Sequence, residues 1–496
     1  LDIKHKKNPF LSTESFAKIK QRTKEWRSIM PTVKTTKGLI EGIQEAGYQV
    51  YKGIPYAKPP VGDLRFHAPV EPEPWEGVKE AKTFPNMCPQ RGHEPGEMYT
   101  IEFYENPDFM PGQSEDCLYL NVWTPDPSAS PSVPVASPPY PVAPPPYPVA
   151  VWIHGGAFMG GFGSELEFDG EAYAKRGVIL VTINYRLGVF GFLNHPWLAE
   201  EDEGGHCGNY GILDQIAALK WVQENIAAFG GDPERVTVFG QSAGAMSTQT
   251  LLSSPLTKGM IQRAILQSGG GYDNGLNRDM SVEEAMEVGK GFVTHTGASS
   301  LKELRAKSLE EINEAFGKTM MECFQSGKGL VFVPTIDGYV LPKGYNAILE
   351  EGLHPDIPYM LGSTANDIFV PKEDGGQPEK SNLHKGCLAW SKKGQELGRK
   401  PSYVYYFTRQ LPGDDNGAFH SAELWYMMGT VKRCWRPMEE RDYALSEKMM
   451  AYWTNFMKTG DPNKDGEKEE TLLADGTALP EWKPCTAEGE EYLVFS

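Results

Sequence analysis

Short runs of β-branched and aromatic residues alternate along most of the chain with longer segments whose apolar positions recur at helical spacing. The runs at 48–54, 118–123, 149–153, 178–184, 236–239, 359–362 and 403–407 predict buried strands, and 331–334 reads as one more. Residues 34–45 predict a hairpin. Residues 214–229 carry Ile216, Leu219, Val222 and Ile226 on one helical stripe, stopped by Gly230-Gly231-Asp232-Pro233. A closing helix is predicted over 445–458, with Gly460-Asp461-Pro462 as its stop. Residues 275–325 are helical and charged, the pattern of an insertion or cap rather than core. Strands alternating with helices predict the α/β class: a mostly parallel central sheet with helices on both faces.

Two segments stand apart from this alternation. Residues 1–31 are polar, with Phe10, Phe16, Ile19 and Trp26 at roughly helical intervals, and predict an N-terminal helical extension. Residues 125–148 are low-complexity, and Pro-Pro-Tyr-Pro-Val-Ala occurs at both 138–143 and 145–150. Proline removes backbone donors and favours extended chain, so this stretch is read as a proline-rich surface loop between two strands. From residue 32 to 496 the chain reads as one continuous domain.

Composition narrows the function classes. A formal charge of −18 over 496 residues argues against a nucleic-acid partner, which needs a basic footprint. No run approaches the length of a membrane span, and no apolar stretch follows the charged start, so no signal peptide is expected. The compartment stays open between secreted and cytoplasmic, and composition does not set the oligomeric state. The seven cysteines are scattered without C-x-x-C or zinc spacing. Asp461-Pro-Asn463-Lys-Asp465-Gly466 opens like a calcium loop, but Leu472 stands where a bidentate Glu is required, so no metal is expected.

The chemistry gathers around Gly240-Gln241-Ser242-Ala243-Gly244, which follows the run 236–239 and precedes residues able to continue as a helix. In a strand–turn–helix context, G-x-S-x-G lifts the serine hydroxyl clear of the sheet and aims the next N–H at a developing oxyanion. A serine needs a base to take its proton and a third group to orient that base. Downstream histidines are His295, His354, His384 and His420; the last lies in a glycine-containing loop after the run 403–407 and is the predicted base. His154-Gly155-Gly156 ends another buried run. There Gly155 and Gly156 permit close backbone approach and predict, with Ala243, an oxyanion hole; His154 reads as a loop support.

With these motifs stand Tyr51-Lys-Gly-Ile-Pro-Tyr-Ala57, Ser114-Glu-Asp-Cys-Leu-Tyr-Leu-Asn-Val122, Trp152-Ile-His-Gly-Gly-Ala-Phe158, Asn184-Tyr-Arg-Leu-Gly188, Asn209-Tyr-Gly-Ile-Leu-Asp-Gln215 and Phe419-His420. In that order they resemble the type-B carboxylesterase family, from about Thr32 to near the end. The resemblance implies an α/β-hydrolase fold and ester hydrolysis through an acyl-enzyme, with a small-molecule ester substrate and no cofactor. It places the triad acid at Asp367, five residues after Gly362, where the family has Glu; Gln241 likewise replaces a common Glu. It pairs Cys88 with Cys117 as a disulfide, or as thiols in a reducing compartment, and Arg65 with Glu115 and Arg186 with Asp214 as structural ion pairs. It puts the acyl pocket near Leu330, and Tyr99 near a substrate-facing position. The expected substrates are small to medium lipophilic or aromatic esters. The alternatives are a feruloyl or hydroxycinnamoyl esterase and, in another class, a non-catalytic binding protein on the same fold. Such relatives typically lose the nucleophile, whereas Ser242 and His420 are both present.

Overall fold

The computed structural model describes residues 30–127, 145–368 and 380–466, and beyond these residues 471, 473, 476–486 and 491–496. The predicted extension up to residue 29 and the proline-rich stretch 128–144 lie outside the described residues.

Among the described residues, ten strands form the central sheet. From one edge they run Leu493–Phe495, Ser402–Phe407, Tyr359–Thr364, Arg263–Gln267, Gly231–Gln241, Tyr147–Ile153, Ile179–Ile183, Tyr119–Pro125, Tyr48–Pro55 and Ile43–Glu45. The first seven are parallel and the last three antiparallel. The near-continuous apolar runs follow from this placement, because a central parallel strand is buried on both faces. Within Tyr147–Ile153 the pleat sends Val149, Val151 and Ile153 toward the core that holds Ile216, Leu219 and Val222 of helix Tyr210–Asn225. Ala150 and Trp152 face the opposite core, with Met449, Trp453 and Phe456 of helix Glu440–Thr459. Gly460 ends that helix in the left-handed region, φ 84°.

Strand order reverses next to Tyr147–Ile153. The chain continues to Ile179–Ile183 on one side, then crosses to Gly231–Gln241 on the other and builds outward from there. Such a reversal leaves a crevice at the carboxyl ends of the two central strands, where α/β sheets bind ligands. His154-Gly155-Gly156 leaves one of these strand ends and Ser242 the other.

The charged stretch read as helical carries three helices, Val282–Thr296, Leu301–Ala306 and Leu309–Gln325, with Ser281, Ser300 and Ser308 capping their first turns. Other elements differ from the sequence reading. Residues 331–334 are not a strand: Pro334 has no N–H for a ladder, and only Thr335–Ile336 pairs, with Met280–Ser281. The Asn209 side chain holds the Thr335 N–H and carbonyl instead, both at 2.8 Å. The predicted hairpin over 34–45 starts earlier, Thr32–Lys34 pairing with Leu39–Glu41 in a small separate sheet.

Both expected ion pairs form. Arg65 Nε donates to Glu115 at 2.7 Å. Arg186 gives Asp214 two guanidinium bonds, 2.8 and 2.6 Å, and its own backbone N–H at 3.0 Å, with both residues almost wholly buried. Asp214→Asn leaves that guanidinium desolvated without its counter-charge, so it should cost about 3–5 kcal/mol of unfolding free energy. Urea denaturation reads this directly, and replacing both residues by apolar ones should recover most of the loss.

Candidate active site

Strand Gly231–Gln241 ends at Ser242, whose φ of 56° and ψ of −125° turn the chain sharply into helix Ala243–Ser253. The Ser242 N–H donates to the Gln267 carbonyl at 2.8 Å, tying the turn to the next strand. Both flanking glycines are required by space. A Cβ at Gly240 would stand 2.4 Å from the Gly244 carbonyl carbon, and one at Gly244 2.0 Å from the Ile153 oxygen. Ser242 itself is half-buried.

The turn after Tyr147–Ile153 approaches from the other side. A Cβ built on Gly155 would lie 3.1 Å from the Ser242 Cβ. Gly156 has φ 100° and is followed by Ala157 and Phe158, also in the left-handed region. Its carbonyl accepts from Met159 and Gly160, folding the turn back on itself. Among the described residues, the N–H groups of Gly155, Gly156 and Ala243 have no protein acceptor. His154 supports this turn from behind: its Nδ1 donates to the Gly155 carbonyl at 2.9 Å, and its ring stacks on Tyr185 at 4.5 Å. Burial pushes its pKa down to about 4, so it stays neutral.

Asp367 follows strand Tyr359–Thr364, and His420 lies beyond strand Ser402–Phe407. The intervening Asn366 zips the two loops together: its N–H donates to the Ala418 carbonyl, and its side chain accepts from the Ala418 N–H, both at 2.9 Å. Loops held this closely let an aspartate reach His420 Nδ1, at 2.5 Å. A carboxylate only accepts, so Nδ1 carries the proton and Nε2 presents its lone pair. That lone pair faces the Gln241 side-chain amide at 3.2 Å; Ser242 Oγ is not among its partners in the described residues.

Burial alone would lower the His420 pKa, but the charge and hydrogen bond of Asp367, aided by Glu423, outweigh it and raise the pKa above the ordinary imidazole value. Burial likewise opposes ionisation of Asp367. The charge and bond of His420, the Ser268 hydroxyl at 2.7 Å and the Thr364 N–H at 3.1 Å reverse that, and its pKa is lowered. Glu423 is the counterexample. It is fully buried behind His420, one oxygen has no partner, and burial pushes it up to about 7.

Sequence reading did not find Asn366, Ser268 or Glu423, polar residues whose partners lie far off in the chain and whose spacing carries no signal. It did single out Tyr99, and the structure sets the Tyr99 hydroxyl 3.0 Å from the His420 carbonyl. Leu330 is half-buried, with its carbonyl on Arg278, and has no described bond to Ser242 or His420. Cys88 and Cys117 are disulfide-bonded. Two cavities, about 510 and 300 Å³, lie along helix Tyr210–Asn225, and neither is lined by Ser242, Asp367 or His420. No cluster that could hold a metal ion occurs among the described residues, and no described helix is long and apolar enough to cross a membrane.

A model of the carboxylesterase family matches residues 30–385 and 380–496. The chain belongs to the carboxylesterase family. Para-nitrobenzyl esterase of Bacillus subtilis (strain 168) is 35% identical over 503 residues, covering 91% of this chain and 96% of that one. Liver carboxylesterase 1 of Oryctolagus cuniculus is 32% identical, covering 94% and 90%. A solved PNB esterase superposes with a TM-score of 0.76 at 33% identity, over 94% of this chain and 96% of the other. This carboxylesterase-family chain therefore has the α/β-hydrolase fold and is a carboxylic-ester hydrolase.

The electrostatics of its histidine can be read directly. With selectively labelled histidines, NMR titration should give His420 a pKa above the ordinary value of about 6.5, charged below it and neutral above. Asp367→Asn should remove most of the rise, and Glu423→Gln should lower the pKa by a smaller amount. An unmoved His420 titration in Asp367→Asn would mean that another group holds the imidazole.

Proposed function

We propose that this chain hydrolyses esters of small to medium lipophilic or aromatic substrates through a serine acyl-enzyme, without a cofactor. Ser242 is the nucleophile, His420 the base and Asp367 the anion that holds its tautomer. The observation that carries the reading is the convergence at the strand-order reversal. A serine on a left-handed turn stands among unbonded N–H groups, and its chain neighbour Gln241 meets a histidine already hydrogen-bonded to a carboxylate.

The steps follow from the geometry. Gln241 yields the Nε2 lone pair, which takes the Ser242 proton as Oγ attacks the ester carbonyl. Charge grows on the carbonyl oxygen, and the N–H groups of Gly155, Gly156 and Ala243 receive it. Asp367 stabilises the imidazolium that forms, and the imidazolium then protonates the departing alcohol. Water, activated by His420 in the same way, attacks the acyl-serine and releases the acid.

Ser242→Ala should abolish ester hydrolysis with the fold intact, and an organophosphonate should label the Ser242 peptide. Label on Ser247 or Ser268 would overturn the assignment. Asp367→Asn should lower kcat by about 10³–10⁴, as loss of a triad acid does elsewhere, while Asp367→Glu keeps partial activity because the charge remains. The substrate class is tested with p-nitrophenyl esters of graded acyl length beside a hydroxycinnamate ester; preference for the latter would move the reading to plant aromatic esters.

A further inference from the structure

The loop closed by the Cys88–Cys117 disulfide touches both halves of the site, which approach from opposite directions. On one side Gln90, nearly buried, grips the backbone of Gly161 with both ends of its amide. Its Nε2 donates to the Gly161 carbonyl at 3.1 Å, and its Oε1 accepts the Gly161 N–H at 2.8 Å. Gly161 lies on the return arm of the turn that carries Gly155 and Gly156, just after Gly160, whose N–H donates to the Gly156 carbonyl. Further along the same loop, the Tyr104 hydroxyl donates to Glu165 at 3.1 Å, and Glu165 accepts the Phe162 N–H at 2.8 Å.

On the other side the Tyr99 hydroxyl donates to the His420 carbonyl. Its ring stacks on Phe103, which stacks on Trp425, and meets Phe419 edge-on. The intervening turn, Thr100–Tyr104, is anchored by Glu102, which accepts from Trp425 Nε1 at 2.7 Å and from Arg436 Nε at 2.9 Å. Tyr99 is thus held at ring and hydroxyl against the segment that bears the histidine. Gln90 is held too, its own N–H going to the Gln113 side chain at 3.1 Å.

We propose that Gln90 and Tyr99 are positioning residues, through which the disulfide-closed loop fixes the oxyanion turn and the His420 backbone relative to each other. The proposal rests on the serine-esterase reading above. Rate depends steeply on such geometry, because donors preorganised toward the oxyanion work only where its charge develops. Neither side chain donates to the reacting atoms in this arrangement, so each acts on kcat and not on substrate affinity.

The test compares wild type, Tyr99→Phe and Gln90→Ala, with active sites counted by organophosphonate titration. Tyr99→Phe keeps the ring stack and loses only the hydroxyl. It should lower kcat per titrated site about three- to tenfold, the scale of one hydrogen bond, with KM unchanged. Gln90→Ala strips two bonds from Gly161 and should cost about tenfold or more. It should also weaken a trifluoromethyl ketone, which places an oxyanion on Ser242, in proportion to its loss of kcat/KM. A merely structural role would reduce the titratable fraction and the melting temperature while leaving kcat per site and ketone affinity as in wild type; that result overturns the proposal. So does a change confined to KM in Tyr99→Phe, which would make Tyr99 a substrate contact. If wild type itself neither titrates nor turns over esters, the serine-esterase reading falls first, and the two failures are told apart.

Discussion

The carbonyl oxygen of Ile153 occupies the space where a methyl at Gly244 would go, and Gly155 presses its own backbone toward the Ser242 Cβ. Three backbone segments, the end of one central strand, the start of the helix after the other and the turn between them, pack without side chains to separate them. Ser242 can stand in the crevice, with Ala243 and Gly155 N–H groups beside it, only because of that approach. The left-handed φ values at Ala157, Phe158, Ser242, Ser268 and Ser421 belong to the same neighbourhood. Non-glycine residues take such backbone at a cost of about 1–3 kcal/mol each, and only where the surroundings over-determine them. Here the surroundings are a parallel sheet buried on both faces.

The same dry environment sorts the acids by their donors. Asp367 and Glu423 are both buried near one imidazole, and burial pushes both toward the neutral form. Asp367 receives bonds from His420, Ser268, Thr364 and Ile368, and stays ionised. Glu423 takes Gln267 and Tyr405 on one oxygen, its other oxygen has no partner, and burial pushes it up to about 7. Two buried carboxyl groups of similar chemistry are therefore held at different acidities, the first by the charge of His420 and the donors aimed at it, the second by burial.

Much of this was legible in the sequence where local pattern carries the meaning. The run 236–239 before Gly240-Gln241-Ser242 announces the elbow, His154-Gly155-Gly156 after a buried run announces the facing turn, and chain order leads to His420. Asp367 was reached by family resemblance, supported by its place after strand Tyr359–Thr364, which Glu350, Glu351 and Asp356 precede. Strand Arg263–Gln267 was not read, because five residues opening with Arg and closing with Gln give no period. Polar residues that act across the chain were hidden for a deeper reason. The partners of Gln90 lie at Gly161 and those of Asn366 at Ala418, and single-sequence pattern has no access to pairs so far apart.

Strand Ser402–Phe407, which leads into the His420 loop, is flanked on its outer side by Leu493–Phe495, and Phe495 takes the N–H groups of Thr408 and Arg409. Ser242 and its turn stand at the middle of the sheet, whereas His420 hangs from a strand whose outer neighbour is this short one. Under the mechanism proposed above, the base is then only as firmly placed as the edge strand that braces its loop.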